Sequence, residues 1–405
     1  MKIGIFSDTH LGFGNDERYI EAFDRFDESI KMFAENKVDY ILHAGDLFDH
    51  SVPDQEVWLK TFECFAKNSG ELREIKKTYK DHEILVKIKG IPIIAIHGTH
   101  EHRGRDFANA LDILEKSHSL VHVHAGYAIL EKEINGENEK IYVHGMGGVP
   151  EKVAKKALDQ YGPKPIDNAT NLLLLHQSFK EFLPFDDEAI ATLSLSDLPN
   201  GFDLIIDGHL HWVNEQNISG KRFLLTGSTI YTQMKSLESE KGKGIFLFDT
   251  ITKDLEFVPF KIQRKLFYKK LKFKEARPEE IINAVEKELE EIFSNTFELK
   301  PLVRLKLVGT IAKGFSQKDI GLVIPNEKAI FSITKKFETE SFKKKIDDLK
   351  ELQSQKKSVI ELGINLLENK VTEANLVDFD TRRIFSLLCE DEVDKAEQIL
   401  LKTKE

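Results

Sequence analysis

The sequence predicts a layered α/β domain over residues 1–260, a small α+β domain over 261–338 and a helical tail over 339–405. In the first segment short apolar runs alternate with longer amphipathic stretches, which is typical of an α/β domain. Most of the runs are apolar on both faces, as strands covered by helices are. The length of 405 residues also exceeds what a single core usually needs. We therefore expect more than one domain.

Nine apolar runs are the candidate strands of the first domain. They lie at 2–8, 39–46, 91–98, 121–126, 141–147, 171–177, 203–209, 222–228 and 244–250. Between the first two runs, Ile20, Phe23 and Ile30 fall on one helical stripe, which predicts a strand, a helix and a strand in succession.

A change of composition marks the second domain. Basic and apolar residues alternate from about residue 260, and residues 278–293 read as a helix with Pro278 near its start. Strand-like segments follow at 301–311 and 328–337. The tail is helical in pattern but too small to bury much apolar surface by itself, so we expect it to dock on another surface.

The formal net charge of -10 argues against a simple nucleic-acid-binding protein. The charge is uneven, however. Residues 1–250 carry 28 Lys and Arg against 40 Asp and Glu, whereas residues 251–350 carry 22 against 16. All 14 histidines lie between His10 and His211, so any histidine chemistry belongs to the first domain.

Several classes of protein are disfavoured by the sequence. Two cysteines, Cys64 and Cys389, are too few and too far apart for a disulfide framework or a CxxC zinc site. Asp8 interrupts the N-terminal apolar run early, and no apolar run approaches the ~20 residues that span a membrane. We expect a cytoplasmic protein. A GxxxxGK[ST] phosphate loop is missing from the sequence, so ATP use would need a partner.

Polar residues that can bind metals follow five of the apolar runs. They are Asp8 and His10, then Asp46 and Asp49, then Thr99, His100 and Glu101, then His176, and finally His209 and His211. The carboxyl ends of strands in an α/β sheet line one crevice, so we expect these side chains to meet.

Aspartate and histidine are ligands suited to Mn²⁺, Fe²⁺ or Zn²⁺. Two carboxylates and four imidazoles are too many for one tetrahedral ion. They predict a pair of ions roughly 3.5–4 Å apart that clamps a phosphoryl group. Each motif alone is more often an ordinary capped loop, and it is their combination at strand ends that favours a dinuclear site.

The order DxH, GD, GxH[DE], H and GHxH resembles the calcineurin-like metallophosphoesterase superfamily. Residues 8–12 (DTHLG) and 45–49 (GDLFD) are similar to those of the SbcD-like nucleases of double-strand break repair, the family of the yeast meiotic-recombination nuclease. Residues 226–228 and 243–248 resemble the closing segment of that family. The resemblance covers the first 250 residues. Beyond them it rests only on the order of the domains, a small domain followed by a helical tail. It implies a layered β-sandwich flanked by helices, followed by a capping domain and a helical tail.

The resemblance also implies roles for the site residues. One metal would take Asp8, His10 and His211, and the other His176 and His209, with Asp46 bridging. His100 would be the catalytic histidine, oriented by Glu101. The family uses two Mn²⁺ ions per subunit in preference to Mg²⁺, Fe²⁺ or Zn²⁺. Its members hydrolyse phosphodiesters with a two-metal-activated hydroxide, as 3′ to 5′ exonucleases on duplex ends and endonucleases on single strands or hairpins.

The partners implied by the resemblance are DNA ends, a second copy of the nuclease and an SbcC-like coiled-coil ABC-type ATPase bound by the tail helices. Such a protein would work at the nucleoid. The small domain would cap the nuclease and contact DNA. Candidates for substrate contact are Asp49, His50, Lys265 and Lys269.

One departure from the family motif concerns Thr99, where relatives usually carry an asparagine that binds the second metal. A hydroxyl is a poorer ligand than an amide carbonyl, so Thr99 predicts a weaker second metal. Two alternatives therefore stay open: a phosphodiesterase or phosphatase for small substrates, and a weakly active DNA-end-binding scaffold for the ATPase.

Overall fold

The computed structural model describes residues 1–68, 70–79, 82–104, 107–134, 136–183, 192–338, 364, 368 and 380–389. These residues belong to two compact units. One unit consists of Met1–Lys269, Glu290–Leu305 and Ile324–Ile333. The described residues of Lys270–Leu289, Lys306–Val323 and Thr334–Glu405 make up the other. Most of the predicted tail lies outside the described residues.

The secondary structure follows the order expected from the apolar runs. In chain order the strands are β1 (Lys2–Phe6), β2 (Tyr40–Ala44), β3 (Leu72–Tyr79), β4 (His82–Lys89), β5 (Ile93–Ile96), β6 (Val121–His122), β7 (Gly126–Ile134), β8 (Glu137–Gly145), β9 (Thr170–Leu175), β10 (Leu204–Asp207), β11 (Asn214–Ile218), β12 (Lys221–Leu225), β13 (Gly244–Asp249), β14 (Leu255–Pro259), β15 (Leu266–Ala276), β16 (Leu302–Ile311) and β17 (Ile330–Glu338). The described α-helices are α1 (Asp16–Glu35), α2 (Gln55–Lys67), α3 (Ala110–Lys116), α4 (Glu151–Tyr161), α5 (Pro278–Phe293) and α6 (Thr381–Cys389). Short 3-10 helices lie at Lys180–Phe182, Leu195–Asp197, Leu237–Ser239 and Gln317–Asp319. Each of the nine predicted runs overlaps a strand.

Two sheets organise the first unit. One has six strands in the order β14, β13, β1, β2, β5, β6, and the other has eight in the order β11, β12, β10, β9, β8, β7, β3, β4. Strands β1, β2 and β5 are parallel neighbours in the first sheet, as β9 and β10 are in the second. The strands that precede the predicted ligands therefore end on a common edge of their own sheet.

The main core lies between these sheets. Ile5 of β1 and Leu174 of β9 are fully buried in one apolar cluster. The next residue of β1, Phe6, points to the opposite face, where it packs with Phe33 of α1. Leu158 of α4 packs on the outer face of the eight-stranded sheet. This order of helices, sheet, sheet and helix confirms the layered α/β fold predicted from runs that are apolar on both faces.

The pattern of apolar runs does not predict the hairpin formed by β3 and β4. Ile75 and Val86 face the core, but charged residues such as Lys76 and Lys87 alternate with them on the solvent face. A strand with one solvated face is apolar at every second residue only, so a search for continuous apolar runs misses it. The hairpin extends the eight-stranded sheet at one edge.

The segment predicted to be a small α+β domain forms a three-stranded sheet in the order β15, β16, β17, with α5 between β15 and β16 in the chain. The helix begins at Pro278, as the sequence predicts. Among the described residues, no helix is both long enough and apolar enough to cross a membrane.

Candidate metal centre

Loops at the carboxyl ends of β1, β2, β5, β9 and β10 carry all the predicted ligands. Backbone hydrogen bonds join the first two loops. The amide of Asp8 donates to the carbonyl of Gly45 at 2.9 Å, and the amide of His10 donates to the carbonyl of Asp46 at 3.1 Å. The backbone therefore fixes these two loops against each other.

Six of the predicted side chains form two neighbouring groups of ligand atoms. One group is Asp8, His10 and His211, and the second is Asp46, His176 and His209; a further set, His10, Asp49 and His100, shares His10 with the first. Within each group the ligand atoms lie within 4.8 Å of one another. Nε2 of His10 is 3.3 Å from Nε2 of His211, and Nε2 of His176 is 3.0 Å from Oδ2 of Asp46. Ligand atoms that share one ion at about 2.1 Å lie about 3 Å apart, so these spacings fit a divalent cation.

The outer nitrogens of three imidazoles, those of His10, His176 and His211, are occupied by the protein, and Nδ1 of His10 lies 3.0 Å from Oδ1 of Asp49. Nδ1 of His176 donates to the carbonyl of Ala44 at 2.7 Å, and Nδ1 of His211 contacts the hydroxyl of Thr232. When ring protons are assigned from such contacts, Nε2 is left with a free lone pair. Nε2 of His176 is buried and has no hydrogen-bond partner among the described residues. A cation between this nitrogen and the nearby carboxylate would satisfy both, so the donor set fits a metal.

Burial sets the protonation of these ligands. It raises the pKa of Asp8 to about 6. It lowers the pKa of His209 to about 3 and that of His211 well below 6.5. Burial also opposes ionisation of Asp46, but His176 outweighs it and holds the pKa of Asp46 below its ordinary value. Burial also opposes protonation of His176, but the charge of Asp46 outweighs it and raises the pKa of His176 to about 10. A divalent cation binds neutral imidazoles and ionised carboxylates, so it must displace the proton that this pair holds.

Four of the predicted ligands have a left-handed backbone. The φ angle is +49° at Asp8, +46° at His10, +52° at Asp46 and +71° at His209. This conformation costs a residue other than glycine about 1–3 kcal/mol and persists only where the surrounding fold enforces it. The loops are therefore shaped to place side chains at a cost in local stability.

Two glycines make room for the ligands. A Cβ atom on Gly98 would lie 2.0 Å from Oδ1 of Asp46, and one on Gly208 would lie 2.7 Å from Nδ1 of His176. Any side chain at either position would displace a ligand. The glycines noted beside Thr99 and His209 in the sequence are thus required by close approach.

His100 lies at the exposed side of the site, where 44% of its side chain is accessible. Its ring centroid is 4.9 Å from that of His10. The backbone amide of His100 donates to Oδ1 of Asp46 at 2.9 Å, and its Nδ1 donates to the carbonyl of Asp49 at 2.6 Å. Because Nδ1 is engaged, Nε2 is the nitrogen left for a substrate.

Glu101 is fully buried and contacts the backbone of two loops. Its carboxylate accepts hydrogen bonds from the amides of Phe48 at 2.8 Å and Gly98 at 2.6 Å. Burial, followed by the nearby charge of Asp46, raises its pKa to about 8. Glu101 therefore positions the loops that carry Asp46 and His100, whereas the direct partner of the His100 ring is Asp49.

The remaining predicted residues lie at varied distances from the ligands. Oγ1 of Thr99 is 3.4 Å from Nδ1 of His209. The side chain of His50 is 73% exposed, with Nε2 3.7 Å from Oδ2 of Asp49. Lys265 is exposed and Lys269 is half-buried, and neither belongs to the carboxylate and imidazole groups.

Asp49 lies behind a predicted ligand. Its Oδ1 is 3.0 Å from Nδ1 of His10, the arrangement in which a carboxylate orients a metal-binding imidazole. We expect Asp49→Ala to weaken divalent-metal affinity about 10–100-fold, because His10 loses the partner that fixes its ring. Calorimetric titration of the metal-free protein with Mn²⁺ measures this. Asp54→Ala removes an exposed carboxylate five residues away that makes no capping hydrogen bond, and it should change nothing; equal affinities in the two variants would contradict the role given to Asp49.

Sequence motifs do not reveal the residues that support the ligands from behind. Nζ of the buried Lys243 donates to the carbonyl of His211 at 2.8 Å, and the hydroxyl of Ser7 contacts the carboxylate of Asp8. Thr232, as noted, contacts the ring of His211. Of these three residues only Lys243 lies in a segment, 243–248, that resembles the family; nothing in the sequence singles out Ser7 or Thr232.

Comparison with known proteins shows which family carries this site. A family model described as calcineurin-like phosphoesterase matches residues 1–213, which is more than half of the chain. The chain belongs to the calcineurin-like phosphoesterase family. The metal-competent groups lie inside the matched residues, so the protein is a metal-dependent phosphoesterase.

Relatives in this family confirm the resemblance to repair nucleases. The chain is 26% identical to the DNA double-strand break repair protein Mre11 of Thermoplasma acidophilum, over 81% of each chain. It is 24% identical to the protein of the same name from Sulfolobus acidocaldarius, over 99% of this chain and 98% of the relative. The Sulfurisphaera tokodaii protein of that name is 30% identical over 60% of this chain and 58% of its own.

Proposed function

We propose that this protein is a Mn²⁺-dependent DNA nuclease of double-strand break repair, acting as a 3′ to 5′ exonuclease on duplex ends and an endonuclease on single strands or hairpins. The observation that carries the proposal is the pair of neighbouring ligand groups, Asp8–His10–His211 and Asp46–His176–His209, in a chain of this family. The names of its relatives supply the substrate class.

Each ligand group would hold one Mn²⁺ ion, with Asp46 bridging. Two such ions, when bound, supply a hydroxide at neutral pH and neutralise charge on the phosphate. The protein's own part is positional. Asp49 orients His10, Thr232 orients His211, and Thr99 lies against His209. His100 presents Nε2 on the exposed side, where it would stabilise the transition state and pass a proton to the leaving oxygen.

The partners proposed are DNA ends, a second copy of the chain and an SbcC-like coiled-coil ATPase, in a complex at the nucleoid. Exposed apolar side chains support association of copies: Leu59 of α2 is 63% exposed and Ile20 of α1 is 53% exposed. The basic segment 261–338 is proposed to cap the nuclease and contact DNA, through residues such as Lys265 and Lys269. The tail at 339–405 is proposed to bind the ATPase. Within the described part of this tail, Ile384 of α6 is buried.

Cleavage of end-labelled linear duplex DNA tests this function. Wild-type protein should shorten the duplex with Mn²⁺ and leave it intact with EDTA. His100→Ala should lose cleavage and keep DNA binding. If only a small diester such as bis(p-nitrophenyl) phosphate were hydrolysed, the small-substrate alternative would replace the nuclease. Binding of DNA ends without cleavage would instead support a scaffold.

A further inference from the structure

The loop that follows His100 is closed at its base. Its described residues are 101–104 and 107–109, and α3 begins at Ala110. The side-chain amide of Asn109 donates to the carbonyl of Glu101 at 2.9 Å, and its oxygen accepts from the amide of Leu111 at 2.9 Å as a helix cap. The loop therefore returns to the residue next to His100 before the helix starts.

This loop presents an aromatic ring to solvent. Phe107 is 64% exposed, and the guanidinium carbon of Arg103 lies 4.9 Å from the centroid of its ring. The guanidinium also donates to the carbonyl of Ala108 at 3.2 Å, and the amide of Phe107 donates to the carbonyl of Gly104 at 3.0 Å. Arginine and ring are thus held together by a cation–π contact and by the hydrogen bond from the guanidinium to the residue after Phe107.

Chain length limits the distance of this pair from the site. Phe107 is two residues from Asn109, so their Cα atoms are at most about 7 Å apart, and Asn109 is bonded to Glu101, the neighbour of His100. The Cα atoms of Arg103 and His100 are at most about 11 Å apart. Stacked bases along a DNA strand rise about 3.4 Å each. The ring and the guanidinium are therefore within a few bases of a phosphate held beside His100.

A single exposed phenylalanine is ordinary on a protein surface. Phe107 differs because a cation covers part of its ring and because its loop begins at His100. An aromatic ring with a neighbouring cation is the combination that binds unpaired bases, with the ring stacking on the base and the cation attracting the strand. A base inside a duplex is already stacked on both faces and cannot use the ring.

We propose that Phe107 and Arg103 form a stacking platform for an unpaired base of the DNA strand that enters the site. The inference rests on the proposed nuclease function and adds a preference within it. Single-stranded or frayed ends gain a contact that blunt, fully paired ends do not. No role was given to either residue by the sequence motifs.

Strand binding without cleavage tests the platform. Full-length protein in EDTA is titrated with a single-stranded oligonucleotide carrying 2-aminopurine, and with a blunt duplex. We expect Phe107→Leu, which keeps an apolar side chain but removes the ring, to weaken single-strand binding about 10-fold and to abolish quenching of 2-aminopurine. Phe107→Trp should restore both. Arg103→Ala should weaken binding and reduce its dependence on salt. Duplex affinity should change less than about twofold in the Phe107 variants.

Ile251→Ala is the control, because Ile251 is also an exposed apolar side chain, at 66%, and lies between β13 and β14, outside the segment proposed to contact DNA. It should bind as wild type does. If wild-type protein cleaves DNA but Phe107→Leu binds and quenches normally, the platform is refuted and the nuclease function stands. If light scattering shows that Phe107→Leu changes only self-association, the ring serves an interface between copies and the platform is likewise refuted. If wild-type protein neither binds nor cleaves DNA, the proposed function itself fails.

Discussion

Asp46→Asn is expected to lower Mn²⁺-dependent hydrolysis by at least about 10³-fold, which corresponds to about 4 kcal/mol of lost transition-state stabilisation. Asparagine suits this position structurally. It tolerates the left-handed backbone found there, with φ of +52°, and its oxygen still accepts the hydrogen bond that the amide of His100 donates at 2.9 Å. The substitution thus removes the charge proposed to bridge the two ions while preserving the loop, so the loss reports on metal binding.

A second measurement separates metal binding from catalysis. Mn²⁺ binds the folded state, so it should raise the melting temperature of wild-type protein, and by much less in the variant. Without metal the variant should melt at a lower temperature, because the buried His176, whose Nε2 is 3.0 Å from Oδ2 of Asp46, loses its charged partner, so each shift is measured from that protein's own metal-free value. Asp254→Asn, at an exposed turn between β13 and β14, is the control and should show the wild-type shift. Retention of both the shift and the activity by Asp46→Asn would remove Asp46 from the ligand set.

The placement of Asp46 illustrates how much of the site is predictable from the sequence. A polar residue directly after a buried parallel strand must lie at the carboxyl edge of the sheet, whatever the details of the loop. This rule places Asp8, Asp46 and His176 correctly at strand ends without any coordinates. It also predicts that His10 and His211, separated by 201 positions, face one another, and their Nε2 atoms are 3.3 Å apart.

The conformation of the loops is not predictable in the same way. Histidine adopts a left-handed backbone more often than most residues but still rarely, so the identities of His10 and His209 do not predict it, and tertiary contacts impose it. The contact of Asp49 with His10 joins residues 39 positions apart, and the hydrogen bond that Glu101 accepts from the amide of Phe48 joins residues 53 positions apart, so no local pattern indicates either. Local patterns fix which side chains meet, whereas long-range packing fixes how they are oriented.

We expect Lys243→Met to lower the free energy of unfolding of the unit that contains it by about 3–5 kcal/mol, the second large effect. Lys243 and Glu238 are 4% and 1% exposed, and Nζ of the lysine is 3.0 Å from Oε1 of the glutamate. Methionine fills a similar volume but leaves the charge of Glu238 buried without its partner. Urea unfolding in EDTA, with no metal contribution, measures the change as a shift of the midpoint.

The double variant Lys243→Met/Glu238→Met tests whether the buried ion pair contributes net stability. Replacing both charges removes the desolvation cost as well as the attraction, so we expect its stability to return to within about 1–2 kcal/mol of wild type. If the double variant were no more stable than Lys243→Met, the loss would come from packing and not from an uncompensated charge.

Metal affinity should not recover with stability. Nζ of Lys243 also donates to the carbonyl of His211 and, at 2.9 Å, to the hydroxyl of Ser228, and Glu238 accepts from the amide of Thr232 at 3.2 Å. These bonds hold the segment from which Thr232 contacts the ring of His211, and apolar replacements cannot make them. A double variant that is stable but binds Mn²⁺ about 10–100-fold more weakly would show that the buried pair orients a ligand and contributes little net stability. Wild-type affinity in the double variant would mean that the sheet edge alone positions His211.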